Sequence, residues 1–182
     1  MSITAGTHKL GPDNATLSVR TRKAGAAFKA GHNLLIEVTA WTATLEVGDD
    51  PGQARIELTA DSGSLRVLEG TGGIHSLGDD DKVGIKQTID QEVLRGSPIA
   101  FRSTAVDAGA DGGSLRVAGE LDLAGKSHPI AFELAVGANG AVTGNAIVKQ
   151  TSWGIKPYSA LFGTLKVVDE VTVEIAASLP TS

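Results

Sequence analysis

Apolar and polar residues alternate one by one along most of this chain, which limits its folds to those built from half-buried strands. Leu115, Val117 and Leu121 fall on one face of such a strand, while Arg116 and Glu120 fall on the other. The same alternation recurs at residues 54–60, 130–136 and 171–179. A period of two residues is typical of strands with one buried face, as antiparallel sheets have.

Turn-forming residues separate these segments at intervals of one strand length. They include Asp-Gly-Gly at 111–113 and Asn139-Gly140, and the chain holds 23 glycines in 182 residues. Asn139-Gly140 is the strongest turn signal, and it predicts a type I′ turn with positive φ at both central residues. Short connections between successive strands predict that neighbours in sequence pair with each other.

The alternation changes phase near Thr39 and Ala40. Ile36 and Val38 are apolar at even positions, whereas the apolar residues from Trp41 onward occupy odd positions. A bulge or a sharp bend shifts the phase in this way. A bent strand is also what a sheet needs in order to close on itself.

One segment has helical instead of strand periodicity. Three aspartates at 79–81 begin it, Ile85, Ile89 and Val93 follow at intervals of four, and Arg95 lies at its end. This pattern predicts one amphipathic helix from about Asp79 to Arg95. Residues 154–163 have no clean period and are predicted to form a loop. We therefore expect an all-β fold in one domain over residues 1–182, an antiparallel up-and-down barrel of about eight strands with one inserted helix.

Composition excludes several classes of protein. The net charge of −5 and the lack of a basic cluster argue against nucleic-acid binding. The absence of cysteine excludes disulfides, thiolate metal sites and a cysteine nucleophile. Because no apolar run approaches the roughly 20 residues of a membrane span, we expect a protein that does not span the membrane. The default compartment is the cytoplasm, and export stays open if a leader has been removed.

Catalytic and metal-binding motifs give no positive signal. The four histidines are His8, His32, His75 and His128, and their spacing matches no metal-ligand motif. Gly125-Lys126-Ser127 resembles the end of a phosphate-binding loop, but Glu120 stands where the first glycine is required. We therefore predict neither a metal nor a cofactor, and no enzyme activity is supported.

The inner faces of the predicted strands carry mainly Ala, Val, Leu, Ile and Gly. These residues either pack against each other or leave an apolar cavity, and both arrangements occur in small barrels. The candidates for residues that line a cavity are the large aromatics, for each of which plain core packing is the alternative: Phe28, Trp41, Phe101, Phe132, Trp153 and Phe162. Tyr158 and His32 are candidates for its rim, with a polar turn residue as the alternative for His32.

Four short motifs occur in an order that resembles one known family. Residues 97–104 resemble a P-x-I-x-F-x-S-T strand, and residues 119–130 resemble a G-x-L-x-L-x-G-x-T-x-P-V hairpin. Residues 151–155 and 168–171 lie where that family has its Phe-Gly element and its closing G-D-E-V turn. The chain thus resembles, from Leu10 to Leu179, the YceI-like family of lipocalin-like barrels, which are linked to polyisoprenoid and other lipid binding.

The resemblance implies a lipocalin-like barrel that binds and sequesters or transports a long apolar ligand, either a polyisoprenoid or a fatty-acyl lipid. Each buried CH₂ group of such a ligand would contribute about 0.8 kcal/mol, so a long tail needs no charged anchor. Two alternatives stay open. One is a filled barrel that acts as an interaction module or forms a homodimer. The other is a hydrolase or isomerase of a hydrophobic substrate, which would need a polar cluster such as His32 with an Asp or Ser from another strand.

Overall fold

The computed structural model describes residues 3–50 and 53–181, most of which lie in antiparallel strands. In chain order the strands are β1 (Gly6–Leu10), β2 (Ala15–Thr21), β3 (Lys23–Ala24), β4 (Asn33–Val38), β5 (Trp41–Val47), β6 (Arg55–Ala60), β7 (Leu65–Thr71), β8 (Ile99–Ala108), β9 (Ser114–Leu123), β10 (Lys126–Val136), β11 (Ala141–Lys149), β12 (Ser159–Ala160), β13 (Leu165–Val167) and β14 (Glu170–Ser178). Eleven of them form one sheet, and β12, β13 and β3 form a second, small sheet.

The large sheet is an up-and-down barrel of eight strands. Three strands are each interrupted once at a bend, so that β1 continues into β2, β4 into β5 and β6 into β7, which reduces eleven segments to eight strands. β1–β2 pairs along one side with β5 and β4, and β2 pairs on its other side with β14. The last strand therefore meets the first, which confirms the expected lipocalin-like barrel of about eight strands.

The predicted bend near Thr39 and Ala40 is confirmed. β4 ends at Val38 and β5 begins at Trp41, and both of these residues are buried. Thr39 and Ala40 are exposed between them, so the strand changes direction without turning its apolar face away from the interior. The change of phase in the sequence is the mark of this bend.

The predicted helix is also confirmed. Helix α1 (Asp79–Thr88) continues through a π-helical turn at Ile89–Val93, which ends two residues before Arg95. The backbone N–H of Gly78 donates to the carboxylate of Asp81 at 2.9 Å, which satisfies one of the free donors at the helix start. In the part of the chain that the structure describes, no helix is long and apolar enough to cross a membrane.

One predicted turn is wrong. Asn139 is not among the residues with positive φ, and only Gly140 adopts it, at +80°. Gly137 pairs with Ala141 around this loop, so the connection is one residue longer than a type I′ hairpin. A two-residue hairpin connection with positive φ at both positions occurs instead between β9 and β10, at Ala124 (+51°) and Gly125 (+79°).

The two ends of the barrel differ in how the strands are connected. Short loops at residues 109–113 and 137–140 join strands at one end, where β5 also ends and β6 begins. Three of the four connections at the other end are much longer and carry most of the remaining structure: residues 22–32 with β3, residues 72–98 with α1, and residues 150–169 with β12 and β13. The fourth is the two-residue connection between β9 and β10. We call this second end the mouth end.

Candidate functional site

The interior of the barrel holds an apolar cavity of about 980 Å³. Its walls are the inward-facing aliphatic side chains of the strands, as one level of the barrel illustrates. There Ala146 of β11 pairs with Val173 of β14, Val173 with Val19 of β2, and Val19 with Ile36 of β4. All four residues line the cavity. Toward the end of the barrel opposite the mouth end, the interior is filled by buried residues such as Val117, which is 0% exposed.

The helix completes the wall where the barrel has a gap. β8 pairs with β6 but not with β7, so α1 lies beside β7 in place of a strand. Ile85, Ile89 and Val93 line the cavity. The Lys86 ammonium holds the helix to the barrel, since Nζ donates to the carbonyl oxygen of Gly63 at 2.7 Å.

The cavity reaches the surface at the mouth end. Ile74 and Tyr158 both line it, and they are 71% and 46% exposed. The Lys, His and Asp side chains along the cavity, among the described residues, all belong to the three long connections: Lys23, His32, His75, Asp80, Asp81 and Lys166. The cavity is thus apolar in its depth and polar at its opening.

One side-chain hydrogen bond joins two connections of the mouth, and a second lies within the connection at 22–32. The His32 Nε2 donates to the carbonyl oxygen of His75 at 2.6 Å, which fastens residues 72–76 to the start of β4. The Lys23 Nζ donates to the carbonyl oxygen of Gly31 at 2.8 Å. Gly73 permits the first of these contacts, because a Cβ at this position would lie 2.3 Å from the His32 Nε2.

The small sheet forms the opposite side of the mouth. β13 pairs with both β12 and β3, and the backbone N–H of Ala27 donates to the carbonyl oxygen of Thr164 at 2.8 Å. The side chain of Leu165 packs directly against Gly31, where a Cβ would lie 2.5 Å from its Cδ1. The connection at 22–32 is therefore held between β13 on one side and residues 72–76 on the other.

Four of the residues selected from the sequence lie along the cavity. Phe101 and Phe132 belong to its wall, where their ring centroids are 5.4 Å apart and the rings are tilted by 55°. His32 and Tyr158 lie at the mouth. Their part in binding a ligand stays a prediction.

The other four selected residues lie away from the cavity wall. Trp41 and Trp153 are buried in packed core clusters, at 4% and 3% exposure. The Trp153 Nε1 donates to the carbonyl oxygen of Leu121 at 2.8 Å. Phe28 and Phe162 project from the outer surface of the mouth, where Phe162 is fully exposed. A role of these four in ligand binding likewise stays a prediction.

Sequence reasoning missed the residues that make up most of the site. It selected aromatic residues, whereas the wall consists mainly of Val, Leu, Ile and Ala, and it did not select Lys23 or His75 at the mouth. The alternation of each strand identifies the inward-facing aliphatics and could have found them. For Lys23 and His75 the sequence carries no comparable signal, since their position depends on how three distant connections meet.

A short 3-10 turn at Gln150–Trp153 leads from β11 into the mouth, and Asp169 fixes it. The Asp169 carboxylate accepts hydrogen bonds from the Thr151 hydroxyl at 2.6 Å and from the Thr151 backbone N–H at 2.8 Å. These two bonds hold the pKa of Asp169 below its ordinary value, and the bond from the hydroxyl has the larger effect. Among the described residues, no three His, Asp or Glu side chains are grouped to hold a metal ion.

Comparison with known proteins gives one family and several solved structures. The family model for the YceI-like domain matches residues 9–179. BcnA of Burkholderia cenocepacia superimposes with a TM-score of 0.62 at 17% identity, covering 89% of this chain and 94% of that one. The Campylobacter jejuni YCEI protein gives 0.52 at 13% identity, covering 80% and 85%. No curated protein is similar enough in sequence to be counted as a relative.

The two kinds of match support different conclusions. At these identities the solved structures show a common fold, whose barrel is the one built above. The family model extends over nearly the whole barrel, from β1 to the residue after β14, and confirms the resemblance of the sequence motifs. This chain belongs to the family of YceI-like domains.

Proposed function

We propose that this protein binds one long apolar ligand, a polyisoprenoid or a fatty-acyl lipid, inside the barrel and so sequesters or transports it. The observation that carries the proposal is the cavity of about 980 Å³ with aliphatic walls and an opening at one end. Cavities of this size and character are typical of sites for small apolar molecules.

The shape of the cavity favours a chain-like ligand. An eight-stranded barrel is only wide enough for its own side chains or for one small ligand, so a long ligand must lie along the barrel axis. Each CH₂ group buried against residues such as Val19, Val173 and Phe132 would contribute about 0.8 kcal/mol. A polar end of the ligand would stay at the mouth, near Lys23 and His32.

The two alternatives have less support. A filled barrel would have its interior occupied by side chains, which is difficult to reconcile with the volume of the cavity. Catalysis would require a polar cluster around His32, but the Nε2 of His32 is engaged by the backbone carbonyl of His75. We therefore propose binding without chemical conversion of the ligand.

Two matched substitutions on neighbouring strands test the proposal. Ala146 lines the cavity and lies three residues before the end of β11. Ala146→Trp would therefore place an indole across the path of the ligand's hydrocarbon chain. Ala131 on β10 is exposed on the outside of the barrel, and Ala131→Trp adds the same group there. The probe is cis-parinaric acid, a slim fluorescent fatty acid, titrated into each protein.

The proposal predicts saturable binding of one probe molecule by the unaltered protein and by Ala131→Trp. Ala146→Trp is expected to bind the probe at least about tenfold more weakly, because the loss of two buried CH₂ groups already has that effect. Equal binding by all three proteins would overturn the proposal. So would the absence of binding by the unaltered protein to this probe and to a polyprenol of similar length.

A further inference from the structure

The hairpin between β12 and β13 ends in two apolar side chains that contact little of the protein. Leu161 and Phe162 form its tip; Leu161 is 56% exposed and Phe162 is fully exposed. Both also adopt the left-handed backbone conformation, with φ of +50° and +57°. Asn or Gly fits that conformation with less strain, and a polar side chain would be better solvated. Neither packing nor backbone geometry therefore accounts for Leu and Phe at this tip.

Three more exposed apolar side chains lie around the mouth. Phe28 is 46% exposed and lies on the segment that bonds to Thr164 and packs along β13. Tyr158 directly precedes β12, and Ile74 lies on the far side, next to the His75 carbonyl that His32 holds. We call the set of five the rim patch: Phe28, Ile74, Tyr158, Leu161 and Phe162.

Positive charge accompanies the rim patch. Residues 22–31 and 154–168, which carry four of its five members, contain five cations and neither Asp nor Glu, in a chain of net charge −5. The cations are Arg22, Lys23, Lys29, Lys156 and Lys166. None of them forms an ion pair with another described residue. The three aspartates at 79–81 lie on the other side of the mouth, at the start of α1.

We propose that the rim patch docks onto the surface of a bilayer that contains anionic lipids. Exposed aromatic and aliphatic side chains enter the region between headgroups and acyl chains, where Tyr is also favoured, while Lys and Arg beside them attract anionic headgroups. In this orientation the mouth faces the membrane. An apolar ligand can then pass between the bilayer and the cavity without crossing water. This transfer rests on the proposed function, whereas docking to the bilayer does not rest on it.

The test is sedimentation of the full chain with vesicles. One set consists of phosphatidylcholine mixed with phosphatidylglycerol, and the other of phosphatidylcholine alone. The double variant Leu161→Asn with Phe162→Asn removes the apolar tip and suits its left-handed backbone, so the variant is expected to fold. Ile147→Asn is the matched control, because Ile147 is 55% exposed but lies on the outer wall of the barrel.

We expect the unaltered protein to sediment with the anionic vesicles and to bind the neutral ones much more weakly. The double variant should bind the anionic vesicles at least about tenfold more weakly, since a buried Phe alone contributes that much. Ile147→Asn should bind them as the unaltered protein does. Lys29→Glu should weaken binding more than Lys9→Glu, which makes the same change of charge on β1 away from the mouth.

Docking is overturned if the unaltered protein stays in the supernatant with both kinds of vesicle. That result is expected if the rim patch binds a partner protein instead of a membrane. Docking is also overturned if the double variant binds the anionic vesicles as well as Ile147→Asn does. Titration of the double variant with cis-parinaric acid separates the two proposals. Unchanged binding of the probe together with lost sedimentation supports docking and leaves the cavity's function intact.

Discussion

Gly119 on β9 leaves the space in which the ring of Phe101 lies. A Cβ at Gly119 would lie 2.6 Å from the Cζ of Phe101 and 2.4 Å from the carbonyl oxygen of Arg102. β8 has a register shift against β9 at the same place, between Ser103 and Ala105. The missing side chain and the irregular strand together position the Phe101 ring in the cavity wall.

Gly119→Ala is therefore expected to lower the free energy of unfolding by about 1–3 kcal/mol, because the added methyl group overlaps a backbone oxygen as well as the ring. Gly84→Ala in α1 is the control. A Cβ at Gly84 would meet nothing within 4 Å, so this change should raise the free energy of unfolding by about 0.5–1 kcal/mol. Urea unfolding measures both, and an unchanged stability of Gly119→Ala would contradict the description of the wall.

The β9–β10 hairpin predicts a stabilising substitution. Ala124 adopts a φ of +51° at the first position of this two-residue connection, a conformation that Asn tolerates better than Ala. Ala124→Asn should raise the free energy of unfolding by about 0.5–1 kcal/mol. A less stable variant in thermal or urea unfolding would show that the connection is not of this type.

The two tryptophans should respond differently to loss of the indole N–H. Trp153 donates to the Leu121 carbonyl, whereas the buried Nε1 of Trp41 has no hydrogen-bond partner among the described residues. Trp153→Phe removes a made hydrogen bond, and Trp41→Phe removes an unsatisfied donor. The first should be less stable than the second by about 1 kcal/mol or more in urea unfolding. The opposite order would contradict these assignments.

Asp169 adds a contribution to stability that depends on pH. Its pKa is lowered in the folded protein by the hydrogen bonds from Thr151, so the contribution is fully present above the ordinary pKa of aspartate, about 4. It is lost as the pH falls through the lowered pKa of the folded state. Thr151→Val should therefore be less stable at neutral pH, and the difference should shrink in acid. A constant difference from pH 7 down to pH 2, measured by urea unfolding, would exclude this origin.

Much of the fold follows from local patterns in the sequence. The phase change after Val38 locates a bend, and the spacing of Ile85, Ile89 and Val93 locates a helix, because both patterns depend on residues close together in the chain. The turn at Asn139-Gly140 was misassigned since composition alone does not distinguish a two-residue hairpin from a longer loop. The hairpin tip at Leu161 and Phe162 is marked in the sequence only by the Gly163 that follows, and the left-handed conformation of Leu161 and Phe162 becomes visible only in the structure.

The site was less predictable than the fold for a physical reason. Alternation tells which side chains point inward, but not how far along the barrel axis each one lies. Trp41 and Trp153 both point into packed core, while Phe101 and Phe132 reach the cavity. The mouth depends on contacts between distant segments, such as the one between His32 and the His75 carbonyl, that no local pattern encodes.

Native mass spectrometry of the purified protein, followed by organic extraction of the same sample, tests ligand binding in the cavity most directly. The proposed function predicts a mass that exceeds that of the chain by one lipid molecule, and a long apolar chain in the extract. The same excess should be absent or much reduced in Ala146→Trp and retained in Ala131→Trp. A mass equal to that of the bare chain, even after incubation with an excess of long-chain lipids and polyprenols, would contradict it.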